Sequence, residues 1–300
     1  DQVRSDKEGD FLTSPEVSKY FGKIIRNWIH SESNLKNIIE IGSGTGSLIE
    51  QIGIKEITAV ELSSTAREEL IKKGIDTHTT IDELTTKTSD LIFGNEILDN
   101  IPCSIGLYKD EGWYEKVVLL EENSLAYGLR PIRNEELDWI NKNNIVPNED
   151  YEFEIQVNID KFLNSVIKKI NPEKILLFDY GYEQKNRDKR MYSSLLRTYK
   201  NHHLSVDPID DPGNIDITYD VNFSSISSEL KYLGYDVTLK LQRDFLLDNG
   251  FNIFFDELQE KYIDAEGIEK LKINSELNGM KAIVDSNGLG GFYCLIAEKL

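Results

Sequence analysis

The segment that decides the fold is Glu40-Ile41-Gly42-Ser43-Gly44-Thr45-Gly46, which ends the short apolar run 37–41. Residues 47–52 then read as the start of a helix. Glycines at such a turn let the backbone come close to a ligand, and the helix that follows presents its positive N-terminal end. A strand, a glycine turn and a helix in this order predict the opening of a nucleotide-binding βαβ unit.

The spacing of the glycines discriminates between cofactors. A dinucleotide-binding G-x-G-x-x-G pattern would place its third glycine at position 47, which is Ser47. The pattern G-x-G-x-G, with an acid two residues ahead of it, is instead typical of S-adenosyl-L-methionine sites. We therefore predict this cofactor, with S-adenosyl-L-homocysteine as the product, held by Glu40, Gly42, Gly44 and Gly46.

Apolar strands and helices alternate along the rest of the chain, which predicts a mostly parallel sheet. The predicted strands are 37–41, 57–60, 75–79, 90–93, 174–178, 236–241 and 292–297. The fold class that follows is α/β, the Rossmann-like fold of class I methyltransferases, with about seven mostly parallel strands.

Two insertions interrupt this alternation. The first, 100–172, is longer than the crossover of a compact fold needs. It has strand-like character at 113–120 and 152–159 with a helical segment, 135–141, between them, so we predict a small antiparallel flap. The second insertion, 181–219, is polar and contains Asp-Pro and Pro-Gly turn signals.

The domain organisation predicted from this pattern is a single domain, 1–300, with an N-terminal lid segment, 1–18. Residues 9–18 and the second insertion are polar and rich in turn signals, which indicates few buried apolar contacts and low local stability. We expect them to form a mobile cover that becomes ordered when cofactor or substrate binds.

Composition limits the kinds of partner. The chain has 34 Lys and Arg against 53 Asp and Glu, a net charge of −19, which disfavours nucleic acid and anionic lipid and favours a neutral or basic partner. No apolar run approaches the roughly 18 residues that a membrane span needs, so we expect no membrane insertion. The two cysteines are too few and too far apart for a CxxC metal site, and the adjacent His202 and His203 cannot both face one point from a regular helix or strand, so we expect no metal site. The oligomeric state cannot be read from the sequence.

Further candidate residues follow the second and third strands. Glu61 is suitably placed for its carboxylate to accept hydrogen bonds from the two ribose hydroxyls, the alternative being an exposed acid at a strand end. Ile81 and Asp82 could lie against adenine, although a solvated loop would have the same composition.

The fourth strand leads into Gly94-Asn95-Glu96-Ile97-Leu98-Asp99. Glu96 and Asp99 are three residues apart, which on a helical turn places both carboxylates on one side. Paired acids suit a cationic nucleophile such as a guanidinium, which they orient and whose proton they receive; the alternative is that they complement a helix N-terminus. Asp179 ends the fifth strand and is a further catalytic candidate, or an anchor of its own loop.

Several motifs, in this order along the chain, resemble the MidA family of mitochondrial complex I assembly factors with protein arginine methyltransferase activity and their prokaryotic relatives. The resemblance runs from near residue 9 almost to the end. The motifs are Gly9-Asp10-Phe11-Leu12-Thr13-Ser14-Pro15-Glu16-Val17-Ser18, the glycine turn, Asn95-Glu96-x-x-Asp99-x-x-Pro102, Asp179-Tyr180-Gly181, Leu196-Arg197-x-Tyr199 and Asp211-Pro212-Gly213.

The resemblance implies roles for named residues. It implies that the glycine turn and Glu61 bind the cofactor, that Thr13 and Pro15 belong to a segment folded over it, and that Asn95, Glu96 and Asp99 line the reaction site. The chain departs from the family at Ser43 and Thr45, where members often have Pro and Arg. It also departs at Ile97 and Leu98, where members often have aromatic residues and where the wall of the acceptor site is altered.

Three functions are consistent with these observations. The first is methylation of an arginine on a protein partner that carries a basic or arginine-bearing segment, which the acids Glu96 and Asp99 favour. The alternatives are a small-molecule O- or N-methyltransferase and a cofactor-binding assembly chaperone with weak activity. The expected location is the cytoplasm for a prokaryotic source, and the mitochondrial matrix for a chain whose targeting segment has been removed.

Overall fold

The computed structural model of the chain describes residues 13–32, 35–122, 124–189, 195–200, 203–204 and 207–300. Most of the N-terminal lid segment and parts of the second insertion lie outside these residues. The described strands and helices agree closely with the predicted alternation.

The strands are numbered in chain order. They are β1 (Ile38–Ile41), β2 (Ile57–Val60), β3 (Thr77–His78), β4 (Leu91–Asn95), β5 (Ser104–Lys109), β6 (Gly112–Glu121), β7 (Ser124–Pro131), β8 (Tyr151–Ile155), β9 (Lys174–Asp179), β10 (Gly181–Tyr182), β11 (Leu196–Lys200), β12 (His203–Leu204), β13 (Asp216–Tyr219), β14 (Val221–Asn222), β15 (Tyr235–Leu241) and β16 (Tyr293–Lys299).

The helices are numbered in the same way. They are α1 (Ser14–Val17), α2 (Tyr20–Ser31), α3 (Ser47–Ile52), α4 (Ser64–Lys72), α5 (Asn134–Lys142), α6 (Val157–Ile170), α7 (Phe223–Tyr232), α8 (Gln242–Asp248), α9 (Phe251–Asp264) and α10 (Gly267–Ile283). None of the described helices is both long enough and apolar enough to cross a membrane.

The chain divides into two compact units. The first unit comprises 1–97, 166–180 and 234–300, and the second comprises 98–165 and 181–233. The second unit therefore contains most of both predicted insertions. The prediction of a single domain over 1–300 stays a prediction.

The first unit contains a seven-stranded sheet among its described residues, in the order β15-β16-β9-β4-β1-β2-β3. Strand β16 is antiparallel to both of its neighbours, and the remaining pairs are parallel. The predicted mostly parallel Rossmann-like sheet is confirmed. The strand order reverses between β1 and β4, and in open α/β sheets ligands bind outside the carboxyl ends of the strands at such a point.

Helices pack on this sheet through fully buried aromatic side chains. Phe21 of α2 and Phe245 of α8 both contact Phe178 of β9 edge to face, each with ring centroids 5.2 Å apart. Their rings are at most 1% exposed. The apolar residues of α2 recur at helical spacing, and this contact with β9 explains the pattern.

The second unit contains a four-stranded antiparallel sheet in the order β7-β6-β5-β8. This confirms the predicted flap, and α5 lies within it as predicted, with Trp139 packed against Phe153 of β8. Strands β5 and β7 were not predicted, because each carries a glycine that interrupts its apolar pattern. Strand β8 ends at Ile155 rather than at 159, since α6 begins at Val157.

The rest of the second unit contains two small sheets among its described residues. One is β12-β11-β13, and the other pairs β10 with β14 in parallel. Gly181 of β10 is required there, because a Cβ at this position would lie 2.0 Å from the carbonyl oxygen of Val221. The glycine of the Asp179-Tyr180-Gly181 motif is thus explained by a close approach of two backbones.

Candidate active site

A solvent-open cavity lies beside the glycine turn in the first unit. Six of the predicted cofactor residues line it, together with five neighbours. The lining residues are Thr13, Pro15, Glu16, Glu40, Gly42, Ser43, Gly44, Thr45, Ser47, Leu48 and Asn95. The predicted residues Gly46, Glu61, Ile81, Asp82 and Glu96 are outside this lining.

The glycine turn has backbone angles that favour glycine. Gly42, Gly44 and Gly46 have φ angles of +73°, +52° and +86°. A Cβ at Gly46 would also lie 2.7 Å from Cδ2 of Leu70 and 3.1 Å from Cδ1 of Ile75. The turn is therefore packed on one side against α4 and the loop after it, while Gly42 and Gly44 face the cavity.

Glu61 holds the glycine turn from the end of β2. Its Oε2 accepts the backbone N–H of Gly44 at 2.9 Å, and its Oε1 accepts the backbone N–H of Ser63 at 2.7 Å. Each carboxylate oxygen keeps capacity for a second hydrogen bond. Glu61 is thus linked through Gly44 to the cavity wall, although it does not line the cavity itself.

Two buried acceptors at this cavity have no hydrogen-bond partner among the described residues. They are Oε2 of Glu40 and Oδ1 of Asn95, and both residues line the cavity. Burial raises the pKa of the Glu40 carboxyl well above its usual range, a bond from Ser43 opposes this rise, and the neighbouring Glu61 adds to it. Buried acceptors without donors are costly, so the site fits a ligand that brings N–H donors and positive charge.

Glu96 has a strained backbone at the carboxyl end of β4. Its φ is +52°, a left-handed conformation that is uncommon for residues other than glycine. Its N–H donates to the carbonyl of Phe178 at 2.8 Å, and its Oε1 accepts Nδ2 of Asn95 at 3.0 Å. Strain of this kind clusters at functional sites, and here it turns the chain directly after a cavity-lining residue.

Asp99 lies in a 3-10 turn, Leu98–Asn100, of the second unit and is 7% exposed. Its Oδ2 accepts the hydroxyl of Thr218 at 2.8 Å, and its Oδ1 accepts Nδ2 of Asn100 at 2.9 Å. The turn begins only at Leu98, after the left-handed Glu96, so Glu96 and Asp99 do not share one helical turn. Their joint action stays a prediction.

Asp179 ends β9 and is fully buried. Its Oδ1 accepts the backbone N–H of Tyr180 at 2.9 Å, the contact expected of a residue that anchors its own loop. Ile81 and Asp82 form a 3-10 turn with Glu83, and Nζ of Lys169 donates to the carbonyl of Asp82 at 2.9 Å. Their predicted roles at the site stay predictions.

The N-terminal segment of the site is packed more firmly than its composition indicated. Ser14 is fully buried, and its hydroxyl exchanges hydrogen bonds with the side-chain amide of Gln242 at 3.1 to 3.2 Å. Gln242 also donates to the carbonyl of Ile283 at 3.0 Å. Residues 13–18 thus include buried polar contacts, and residues 9–12 lie outside the described residues. The mobile cover stays a prediction.

The part of the chain that the structure describes contains no group of three or more His, Cys, Asp or Glu side chains arranged to hold a metal ion. The acids of the site are instead distributed over the ends of β1, β2, β4 and β9.

A seven-stranded sheet with one antiparallel strand, a G-x-G-x-G turn after β1 and an acid ending β2 define a class I, S-adenosyl-L-methionine-dependent methyltransferase. A model of a family of S-adenosyl-L-methionine-dependent methyltransferases matches residues 22–238. The chain belongs to this family, which confirms the cofactor predicted from the glycine spacing.

Curated relatives carry a more specific name. The chain is 25% identical to "Protein arginine methyltransferase NDUFAF7 homolog, mitochondrial" of Caenorhabditis elegans, over 83% of this chain and 67% of the relative. It is 24% identical to "Protein arginine methyltransferase NDUFAF7, mitochondrial" of Danio rerio, over 81% and 67%. These relatives agree with the resemblance to the MidA family.

A solved structure has the same fold. A Burkholderia thailandensis protein crystallised with S-adenosyl-homocysteine superposes with a TM-score of 0.84 at 21% identity, covering 99% of this chain and 82% of that one. The fold class predicted from the sequence is thus confirmed by a structural comparison over nearly the whole chain.

Proposed function

We propose that this chain transfers the methyl group of S-adenosyl-L-methionine to an arginine of a protein partner. The observation that carries the proposal is the position of Glu96. This acid has a left-handed backbone conformation and immediately follows Asn95, which lines the cavity. The names of the curated relatives support the acceptor.

The cofactor would be held by the cavity beside the glycine turn. When bound, it supplies an electrophilic methyl group on a sulfonium. Glu40 Oε2 and Asn95 Oδ1, the two acceptors without a donor, would accept hydrogen bonds from its ammonium group. The spare acceptor capacity of Glu61 suits the ribose hydroxyls. Pro15 of α1 would form part of the cavity wall.

Glu96 would act on the methyl acceptor. A carboxylate orients a planar guanidinium through charge-assisted hydrogen bonds and can take up the proton that the acceptor nitrogen loses. The amide of Asn95, which donates to Oε1 of Glu96, would fix the orientation of this carboxylate.

Asp99 and Asp179 have a different part in this proposal. Both oxygens of Asp99 already accept hydrogen bonds from Thr218 and Asn100, and Asp179 accepts one from its own loop. We assign them to holding the loops after β4 and β9 in place. The sequence predicted that Glu96 and Asp99 both act on the methyl acceptor. In this proposal only Glu96 acts on it directly.

The partner would carry a basic or arginine-bearing segment, because the chain has a net charge of −19. The curated relatives are named mitochondrial proteins, which supports the mitochondrial matrix for a eukaryotic source. The cytoplasm remains our proposal for a prokaryotic source.

The proposal is tested by incubating the protein with labelled S-adenosyl-L-methionine and host lysate, followed by mass spectrometry of the labelled material. Glu96→Gln should lower transfer to arginine by at least about 100-fold, the usual contribution of a general base, with cofactor affinity nearly unchanged. Glu56→Gln, at an exposed position, is the control for charge.

Three outcomes would contradict it. Label found only on a hydroxyl or a small metabolite would favour the small-molecule methyltransferase. Normal arginine methylation by Glu96→Gln would remove the role of this acid. Cofactor binding without any transfer would favour the assembly chaperone.

A further inference from the structure

Helix α10 packs closely against α1, the short helix that lines one side of the cavity. A Cβ at Gly279 of α10 would lie 2.6 Å from the carbonyl oxygen of Val17 and 3.6 Å from Cβ of Ser18. A side chain cannot come this close to a backbone oxygen unless one of the two helices shifts. Glycine is unfavourable inside a helix relative to alanine. The close approach to α1 therefore explains why glycine occupies this position.

A buried side chain of α8 connects the same two helices. Nε2 of Gln242 donates to the carbonyl of Ile283 in α10 at 3.0 Å and to the hydroxyl of Ser14 in α1 at 3.1 Å. Gln242 and Ser14 are both fully buried. A buried amide that loses such a partner is left with an unsatisfied polar group, which is costly. Gln242 therefore fixes the position of α1 relative to the end of α10.

Helix α1 is a single turn with its own internal hydrogen bonds. Oε2 of Glu16 accepts the backbone N–H of Thr13 at 2.9 Å and the hydroxyl of the same residue at 3.1 Å. The carbonyl of Thr13 accepts the N–H of Val17 at 3.1 Å. Thr13, Pro15 and Glu16 line the cavity. A displacement of Val17 would therefore move the cavity wall as well.

We propose that Gly279 and Gln242 are positioning residues of the cofactor site, through which α10 and α8 hold α1 where it lines the cavity. Neither residue is among those that line the cavity. A wall that is already held in place spares the cofactor the free-energy cost of ordering it on binding. Residues 14–17 are then a fixed part of the site, which confines the predicted mobile cover to other residues.

The wall formed by α1 acts on the amino-acid portion of the cofactor. It lines the same cavity as Glu40 and Asn95, whose buried acceptors we assigned to the ammonium group. The inference rests on that assignment and is independent of the methyl acceptor. A displaced wall should therefore weaken the binding of S-adenosyl-L-homocysteine. It should spare methylthioadenosine, which has the adenosine and the sulfur but lacks the amino-acid portion.

Calorimetry with these two ligands tests the proposal. Gly279→Ala should raise the dissociation constant of S-adenosyl-L-homocysteine about tenfold and that of methylthioadenosine less than about twofold. Alanine favours a helical backbone, so the melting temperature should change little. Asn278→Ala, at the exposed neighbouring position of α10, is the matched control and should bind both ligands normally.

A second variant tests the hydrogen bond to Gln242 without adding an atom. Ser14→Ala should raise the dissociation constant of S-adenosyl-L-homocysteine about fivefold, the effect of one net hydrogen bond. Combined with Gly279→Ala, it should raise this constant by less than the product of the two single effects, because both substitutions release the same turn. Glu40→Gln is the reference for the ammonium assignment and should also weaken S-adenosyl-L-homocysteine selectively.

Three results would overturn the proposal. The first is a folded Gly279→Ala protein that binds S-adenosyl-L-homocysteine normally. The second is an equal loss of affinity for both ligands in Gly279→Ala while Glu40→Gln discriminates between them, since this would indicate a general structural effect. The third is a double variant with Ser14→Ala whose single effects multiply. If Glu40→Gln does not discriminate, the double variant decides, because it requires only S-adenosyl-L-homocysteine.

Discussion

The side-chain amide of Gln51 in α3 donates a hydrogen bond to the backbone carbonyl of Pro15 in α1, with 2.6 Å between Nε2 and O. Its own oxygen accepts the backbone N–H of Gly22 in α2 at 3.2 Å. Pro15 lines the cavity, and α3 begins directly after the glycine turn. The side chain of Gln51 therefore links α1, which contributes to the cavity wall, to α3, the helix that follows the glycine turn.

Gln51→Glu keeps the shape and the acceptor for Gly22 but removes the donor to Pro15. The new carboxylate cannot donate a hydrogen bond to the carbonyl oxygen of Pro15, and the two groups repel each other. A lost hydrogen bond contributes about 1 to 1.5 kcal/mol, so we expect about a tenfold rise in the cofactor dissociation constant by calorimetry. Gln259→Glu, exposed on α9, makes the same charge change and should bind normally. Equal affinities of both variants would contradict this role.

Gly46 and Gly74 form a matched pair for testing the glycine turn. Both have a left-handed φ, +86° and +74°, but a Cβ would clash with Leu70 only at Gly46 and would meet open space at Gly74. Gly74→Ala should lose about 1 to 2 kcal/mol of unfolding free energy in urea and keep cofactor affinity. Gly46→Ala should lose more of its unfolding free energy than Gly74→Ala does, and it should bind the cofactor poorly. Indistinguishable unfolding curves for the two variants would show that the packing beneath the turn is unimportant.

The sequence predicted the sheet well because its central strands β1, β4 and β9 are buried apolar runs. Segment 57–60 agrees with β2 residue for residue. The flap was harder. Gly106 and Gly128 interrupt the apolar patterns of β5 and β7. Tertiary packing explains both glycines, because Ile155 lies over Gly106 and Leu119 lies over Gly128. No local pattern contains that information.

The site divides in the same way. The glycine turn is local, so its cavity-lining residues could be predicted from spacing alone. The roles of Gln51 and Gln242 could not be predicted, because a polar residue in a helix is usually exposed to solvent. Their partners Pro15 and Ser14 are 36 and 228 residues away in the chain. The strain at Glu96 also depends on strand β9, where its N–H finds the carbonyl of Phe178.

The ion pair of Arg197 and Asp220 should matter to the stability of the second unit. The guanidinium lies 2.9 Å from Oδ1 of Asp220, and the two side chains are only 2% and 10% exposed. Removing one partner of a buried pair takes away a charge that compensates the other, so Arg197→Met should lower the free energy of unfolding by about 3 to 5 kcal/mol. Arg197→Met with Asp220→Leu should recover part of that loss. Lys72→Met, which breaks an exposed pair, is the control.

The last prediction concerns the pH dependence that Glu40 gives to the cofactor-free protein. Burial raises the pKa of this carboxyl well above its usual value of 4.5 in the folded state. The folded protein therefore holds a proton that the unfolded chain releases. Wild-type stability is fully present below the unfolded pKa and is lost as pH rises through the folded pKa.

Glu40→Gln has the same shape and does not titrate. Its free energy of unfolding should match the wild type near pH 4 and exceed it increasingly toward pH 8, measured in urea without cofactor. Added S-adenosyl-L-methionine should stabilise the wild type more than the variant, because only the carboxylate can pair with a cation. Glu260→Gln, at an exposed position, controls for the loss of one negative charge. A difference that stays constant from pH 4 to pH 8, or equal stabilisation by cofactor, would rule out a buried Glu40 that titrates and receives the ligand's positive charge.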